Sequence, residues 1–354
     1  MQGNGKVSIK RVSREEYDRD FEKYHYSLFL VSDYAESFRD DRELYYLHFE
    51  MDGKVVAKLA AFRMNGTKML GKWLYCDAAP AMLDEDEYVY NECLSVLLSW
   101  AKKNRLSKIV VGYLDQQHQL YCKAKGYISR TNREFIRFFD PAEEVITFSK
   151  SLRYNVRKAL RVNPVFVEET SERILQKLHE LLQATHACRN DKHKGHYRMY
   201  PYIGMTKEGV DKLFYSGYIK LFHVEVDGEI HCVRLAIEKD KRMFGLMIAG
   251  DEFSYKHSLA HFLQHELITK LHNEGYKYYN IAGSKFREDG LVAYKESLGC
   301  MRYTVHGGYT RFLTFPRVML NPLMDAGKVV ARNKKLKKVI AVVYKTLTGF
   351  EADL

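Results

Sequence analysis

The turn sequence Asp-Gly lies between alternating apolar runs twice in this chain, and each time the same succession of patterns follows. Leu44 to Met51 precedes Asp52-Gly53, with Val55 to Met64 and Lys68 to Tyr75 after it. Tyr218 to Val226 precedes Asp227-Gly228, with Ile230 to Glu238 and Arg242 to Ile248 after it. Asp-Gly tolerates the positive φ of a tight hairpin turn, so each passage predicts a three-strand meander. A helix-period segment comes next. Tyr88 to Lys103 aligns Val89, Cys93, Val96, Leu97 and Trp100, and Ser258 to His272 aligns Leu259, Phe262, Leu263, Leu267 and Leu271. Each then passes through Asn-x-x-x-Lys into a strand (Lys108 to Tyr113; Lys277 to Ala282). A short helix closed by glycine (Lys123 to Gly126; Lys295 to Gly299) and a β-rich stretch (Arg133 to Phe139; Tyr303 to Phe312) complete each series. Landmarks in one order, offset by roughly 170 residues, predict an internal duplication. The fold class expected is α/β (α+β): two tandem domains, each a mixed, mostly antiparallel sheet flanked by helices.

A chain of 354 residues suits two domains of about 150 residues. The bounds expected are 1–147 for the first, joined by 317–354, and 148–316 for the second. Between the copies, Thr147 to Asn163 predicts a basic helix with Ser149 as N-cap, stopping before Pro164. Ser171 to Thr185 predicts another, with Ile174, Leu175, Leu178, Leu181 and Leu182 on its apolar side. The six cysteines form no C-x-x-C pair, which argues against a zinc ribbon and a disulfide scaffold. Met1 to Glu16 is polar, and no apolar run approaches the ~20 residues of a membrane-spanning helix, so a cytoplasmic protein is expected.

Charge is unevenly placed. Of the formal +11, about +7 falls between Arg317 and Lys345, leaving a nearly neutral body. Within that tail Leu336, Ile340, Val343 and Leu347 form an apolar stripe beside Lys334, Lys335, Lys337, Lys338 and Lys345. That pattern fits a basic amphipathic helix on an anionic membrane, peripheral at its inner face, and equally a terminal helix docked on the first domain.

The order of meander, helix, strand and helix resembles the GNAT N-acetyltransferase fold, and its doubled form resembles the Fem-like (FemABX) peptidoglycan-bridge aminoacyltransferases. Four local matches carry the likeness: Ser151 to Arg161, which looks like the family's Arg-rich helix opening the second domain; Thr185-x-x-x-Arg189; Gly275 to Gly283, with Asn280 in place of the usual Asp; and Tyr294-Lys295-Glu-Ser-Leu-Gly299. It covers roughly Leu44 to Phe315, and the long helical arm of some Fem ligases has no counterpart. The resemblance implies transfer of an acyl or aminoacyl group from an activated donor to an amine, with no tightly bound cofactor. The donor would be aminoacyl-tRNA, as in the bridge-forming ligases, or acyl-CoA, as in ordinary acetyltransferases. The acceptor would be a cell-wall precursor or related glycoconjugate.

Acyl transfer needs a proton removed from the attacking amine and a cationic or hydrogen-bonding group near the developing oxyanion. Lys295, with Tyr294 beside it, suits the catalytic role; the alternative is a solvated lysine. Arg153, Arg157, Lys158 and Arg161 make a positive stripe that would hold a diphosphate or serve as a solvated helix face. Arg189, Asn280 and Ser284 complete the expected substrate-binding set. Lys256, His257, Ser258 and His261, at the start of the central helix, are expected to meet the donor. No glycine occurs from Phe253 to His261, which lowers the expectation of a backbone cradle for CoA, and Asp84 to Glu87 at the same place in the first copy would repel a phosphate. His257, His261 and His265 recur every four residues without an evident third ligand, so no metal is expected; His186, Cys188, His193 and His196 read as loop residues near the acceptor. Two alternatives stay open: an acyl-CoA-dependent N-acetyltransferase of a surface sugar or lipid, and a non-catalytic module binding membrane or RNA through its tail.

Overall fold

The computed structural model describes residues 5–40, 42–66, 70–192, 198–284 and 289–322, the side chains of 188–192 excepted. It divides into two compact units, Met1–Asn132 with Val305–Leu354, and Arg133–Thr304.

The first unit holds β1 (Ser8–Val12), α1 (Arg14–Asp18), α2 (Ser32–Ser37), β2 (Glu43–Met51), β3 (Lys54–Asn65), β4 (Lys72–Cys76), β5 (Ala81–Met82), α3 (Glu87–Lys103), β6 (Ile109–Val111) and the start of β7 (Tyr127–Phe138). Its strands run β1-β2-β3-β4-β6, with β5 on β3; only β4 and β6 pair in parallel. Asp52 and Gly53 both adopt positive φ (51° and 79°), the turn that the Asp-Gly signal predicts. Asp86 caps α3 by accepting the Val89 N–H at 3.0 Å, and the helix buries Val89, Tyr90, Cys93, Leu94, Leu97 and Ala101.

The second unit holds α4 (Lys150–Ala159), β8 (Val165–Glu168), α5 (Glu172–Lys192), α6 (Lys207–Tyr215), β9 (Ile219–Val226), β10 (Glu229–Lys239), β11 (Arg242–Gly250), α7 (Glu252–His257), α8 (Leu259–Asn273), β12 (Tyr278–Gly283), α9 (Asp289–Ser297) and the start of β13 (Met301–Thr310). Its strands run β7-β12-β11-β10-β9-β8, again with one parallel pair, β11 with β12. Ser149 caps α4 through the Leu152 N–H at 3.1 Å, as expected. The core lies between the sheet and α4, α8 and α9. Phe222, Val224, Cys232, Ala236, Met243 and Tyr279 from the strands meet Leu259, Leu263, Leu267 and Leu271 from α8. Each buried Leu or Phe contributes about 1.5–3 kcal/mol by leaving water.

The unit bounds depart from those expected at 147/148 and 316/317, for a topological reason. The strands expected to close the two halves are exchanged. Residues 134–138 of β7 pair with β12 in the second unit, and Gly308 and Tyr309 of β13 pair with Val111 and Val110 of β6 in the first. The short helix expected at Lys123 to Gly126 is instead irregular chain ending in a turn, with Gly126 at φ 101°. Of the expected tail helix, only Arg317–Leu320 is described as a 3-10 turn; the stripe at Leu336, Ile340, Val343 and Leu347 and its lysines lie outside the described residues. Among the described residues no helix is long and apolar enough to cross a membrane.

Candidate active site

The two parallel pairs differ. In the first unit Leu74, Tyr75 and Cys76 pair with Ile109, Val110 and Val111, and pairing continues as Gly112 N–H bonds Cys76 O (2.8 Å) and Leu114 N–H bonds Asp77 O (3.1 Å). In the second, β11 and β12 pair only at Arg242–Tyr278, Met243–Tyr279 and Phe244–Asn280. Beyond that point the register of β11 against β10 slips by one residue, Leu235 facing Met247 and Ala236 facing Gly245, which leaves Leu246 as a bulge. A bulge bends its strand, and β11 leaves β12 where it occurs.

The end of β12 past β11 is held by β7, Gly283 facing Glu134, and by side chains. Lys295 is buried (5% exposed), and its Nζ donates to Ile281 O (2.9 Å), Ala282 O (2.8 Å) and Gly283 O (2.6 Å). An ammonium has three protons, and each points at a carbonyl. The Phe135 ring lies 5.2 Å from the same Nζ. Asn280 is fully buried; its Nδ2 donates to Glu134 Oε2 (2.8 Å) and its Oδ1 accepts the Ala282 N–H (2.9 Å), across an Ala282 backbone at φ 65°. Both residues therefore shape the strand end. Ser284, next along, is half-buried with an Oγ lacking a partner.

Beside this strand end the structure gathers Lys158, His261 and Tyr294. The His261 and Tyr294 rings meet edge to face at 4.9 Å. Burial, with the Lys158 ammonium second, holds the His261 imidazole below its ordinary pKa. Burial pushes the Tyr294 phenol well up, so it stays protonated and can donate. Ser258 Oγ donates to Asn155 Oδ1 at 3.2 Å, tying α4 to the junction of α7 and α8. That junction is a break the periodicity does not reveal: α7 ends and Ser258 turns at φ 60° before α8 begins.

The other expected residues are less gathered. Arg153, Arg157 and Arg161 are exposed, and Lys158 is half-buried. Lys256 is exposed; His257 is half-buried, its ring 4.4 Å from that of Phe253. Arg189 lies in α5 with its side chain outside the described residues, as do the side chain of Cys188 and all of His193 and His196. Among the described residues no group of three His, Cys, Asp or Glu side chains is placed to hold a metal ion. Sequence reasoning passed over Arg234 of β10 and Gln264 of α8, which meet at Tyr279 of β12. The signal available was one charged residue at an inward position, flanked two residues either way by Cys232 and Ala236.

Residues 147–296 match the family model for an acetyltransferase (GNAT) domain. No curated protein matches the sequence. Among solved structures, the chain is similar to FemX at 14% identity and a TM-score of 0.64, over 88% of this chain and 99% of that one. L-PGS from Bacillus licheniformis is similar at 14% identity and a TM-score of 0.56, over 88% and 96%. The C-terminal domain of a putative lysylphosphatidylglycerol synthetase from Agrobacterium fabrum gives 14% and 0.55, over 90% and 97%. Residues 147–296 thus match a GNAT acetyltransferase domain, and the chain as a whole shares the fold of FemX.

Proposed function

We propose that the second unit transfers an acyl or aminoacyl group from an activated donor, aminoacyl-tRNA or acyl-CoA, to the amine of a cell-wall precursor, an aminoacylated lipid or a related glycoconjugate. The observation that carries this reading is the parting of β11 from β12 within the residues that match the acetyltransferase domain. A gap there leaves the β11 edge past Phe244 unpaired by β12, for an extended donor arm to follow, and the His261–Tyr294 pair stands on its helix side.

In this reading His261, kept neutral, takes the proton from the attacking amine, and the Tyr294 hydroxyl donates to the oxyanion as it develops. Lys295 acts as a positioning residue through the 281–283 carbonyls. Lys158, Asn155 and Ser258 orient the histidine's surroundings, and Arg153, Arg157 and Arg161 offer cations to the donor's phosphates. The name lysylphosphatidylglycerol synthetase, borne by a similar fold, supports a lipid-linked acceptor, and the resemblance to the Fem-like aminoacyltransferases supports a cell-wall acceptor and a tRNA-borne donor. The first unit, whose parallel pair stays closed, binds no donor in this reading. Association with the inner face of a membrane through the basic tail belongs to the same proposal.

The test is single-turnover transfer from labelled alanyl-tRNA, lysyl-tRNA and acetyl-CoA to a mixed panel of lipid-linked and soluble amine acceptors. Transfer from one donor class is expected, with a His261→Ala rate lower by about 10²–10⁴-fold. Because the His261 pKa is lowered, the acid limb of the rate profile should lie below the ordinary imidazole value. An unchanged rate in His261→Ala removes it from the chemistry, and no transfer from any donor removes the reading.

A further inference from the structure

Arg234 stands on the inward face of β10 and is 5% exposed. Its Nε and Nη2 are buried without a hydrogen-bond partner of good geometry. Two buried guanidinium N–H groups without acceptors are costly, because they have given up their hydrogen bonds to water. Two neighbours share the condition. The Tyr279 ring lies 5.7 Å beneath the guanidinium, its hydroxyl is buried and unpaired, and so is the Oε1 of Gln264 from α8. Arg234 and Gln264 both act on the Tyr279 hydroxyl, and Arg234 also acts on Tyr294, so the four side chains form one cluster. Room for it is made by Gly245: a Cβ there would overlap Nη2 and Cζ of Arg234. Gly245 lies where β11 bulges away from β12.

We infer that this cluster is a carboxylate-binding site, in which the Nε–Nη2 edge of Arg234 takes both oxygens of the carboxylate of an amino-acid or peptide acceptor. Those two N–H groups lie on one edge of the guanidinium and point the same way, which matches the two oxygens of a planar carboxylate. The single charge of the guanidinium is balanced by a monoanion and over-filled by a phosphate dianion. Gln264 Oε1 needs a donor, and an amino acid or peptide carries N–H groups a few bonds from its carboxylate. The activated donor has no such free carboxylate at its acyl end, because that carboxyl is already esterified; this assignment to the acceptor rests on the transferase reading above.

The experiment is calorimetric titration of the full chain with acetate, alanine and inorganic phosphate at low ionic strength, for the wild type, Arg234→Met and Gly245→Ala. Saturable binding of acetate and tighter binding of alanine are expected, with phosphate weaker. Arg234→Met should lose at least tenfold in affinity for both carboxylates. Gly245→Ala, which keeps the charge and displaces the guanidinium, should lose affinity as well. Thermal melting keeps the result readable: without ligand, Arg234→Met should melt no lower than the wild type, since it removes an unpaired buried charge. Equal carboxylate binding by folded Arg234→Met, no saturable carboxylate binding by the wild type, or preference for phosphate overturns the site. Carboxylate binding without transfer from any donor would keep the site and discard the transferase reading; transfer with a KM unchanged in Arg234→Met would discard the acceptor assignment.

Discussion

Lys295 shows how a residue picked for chemistry acquires a different employment in three dimensions. A lysine in the last turn of a short helix reads as a cation for an oxyanion, yet its ammonium is spent on the carbonyls of 281, 282 and 283. Lys295→Met should therefore lower stability by about 3 kcal/mol, the penalty of leaving such acceptors buried and unmade, measurable by urea denaturation. Ala282 lies in the same loop end at φ 65°, a region that disfavours any side chain. Ala282→Gly should raise stability by about 1 kcal/mol in the same assay. In the first unit Asp77 is buried at the end of β4, with the Tyr75 hydroxyl donating to it at 3.0 Å. Burial raises its pKa from 3.8 to about 7. The folded state then holds a proton that the unfolded chain has lost, so stability falls as pH rises from about 4 to 7. Asp77→Asn should remove that decline; comparing the two proteins' melting temperatures across this window isolates it from the His118 imidazole, whose pKa is lowered to about 4 and which acts in the opposite sense.

At the scale of elements, the hairpins and central helices were legible because their causes are local. Asp52-Gly53 and Asp227-Gly228 turn as their composition dictates, and α3 begins within a residue of its periodic pattern. Ser149 caps α4 for the same reason. What was not legible depends on distant partners. Arg234 gains its setting from Gln264, Tyr279 and Tyr294, spread over sixty residues of sequence, and β8 is a four-residue strand that only β9 makes regular. The difference between the two parallel pairs was likewise invisible, since a single bulge at Leu246 decides it. It yields a prediction: calorimetry should give one donor bound per chain. Gly112→Ala in the closed pair would drive a Cβ into the Asp77 carbonyl and lower stability without altering that stoichiometry.

For the molecule as a whole, the division into two units was legible and its bounds were not. Reading copies in sequence assigns each its own final strand, whereas β7 and β13 complete each other's sheets. Nothing in the alternation of β7 distinguishes β12 from any other neighbour. A fragment of residues 133–304 should accordingly unfold more cooperatively, and at a higher temperature, than 148–304, which lacks the strand on β12; circular dichroism melts of the two decide it.

The same exchange sets a timetable for a nascent chain. The strand that pairs with β6 is translated some 170 residues after Asn132, so at roughly 5–20 residues per second the N-terminal sheet waits on the order of ten to thirty seconds for its last member. The C-terminal unit has all its residues once Thr304 has left the ribosome, a little before that wait ends. During that interval β6 presents an open edge, the kind of surface that a trigger-factor-like holdase would shield.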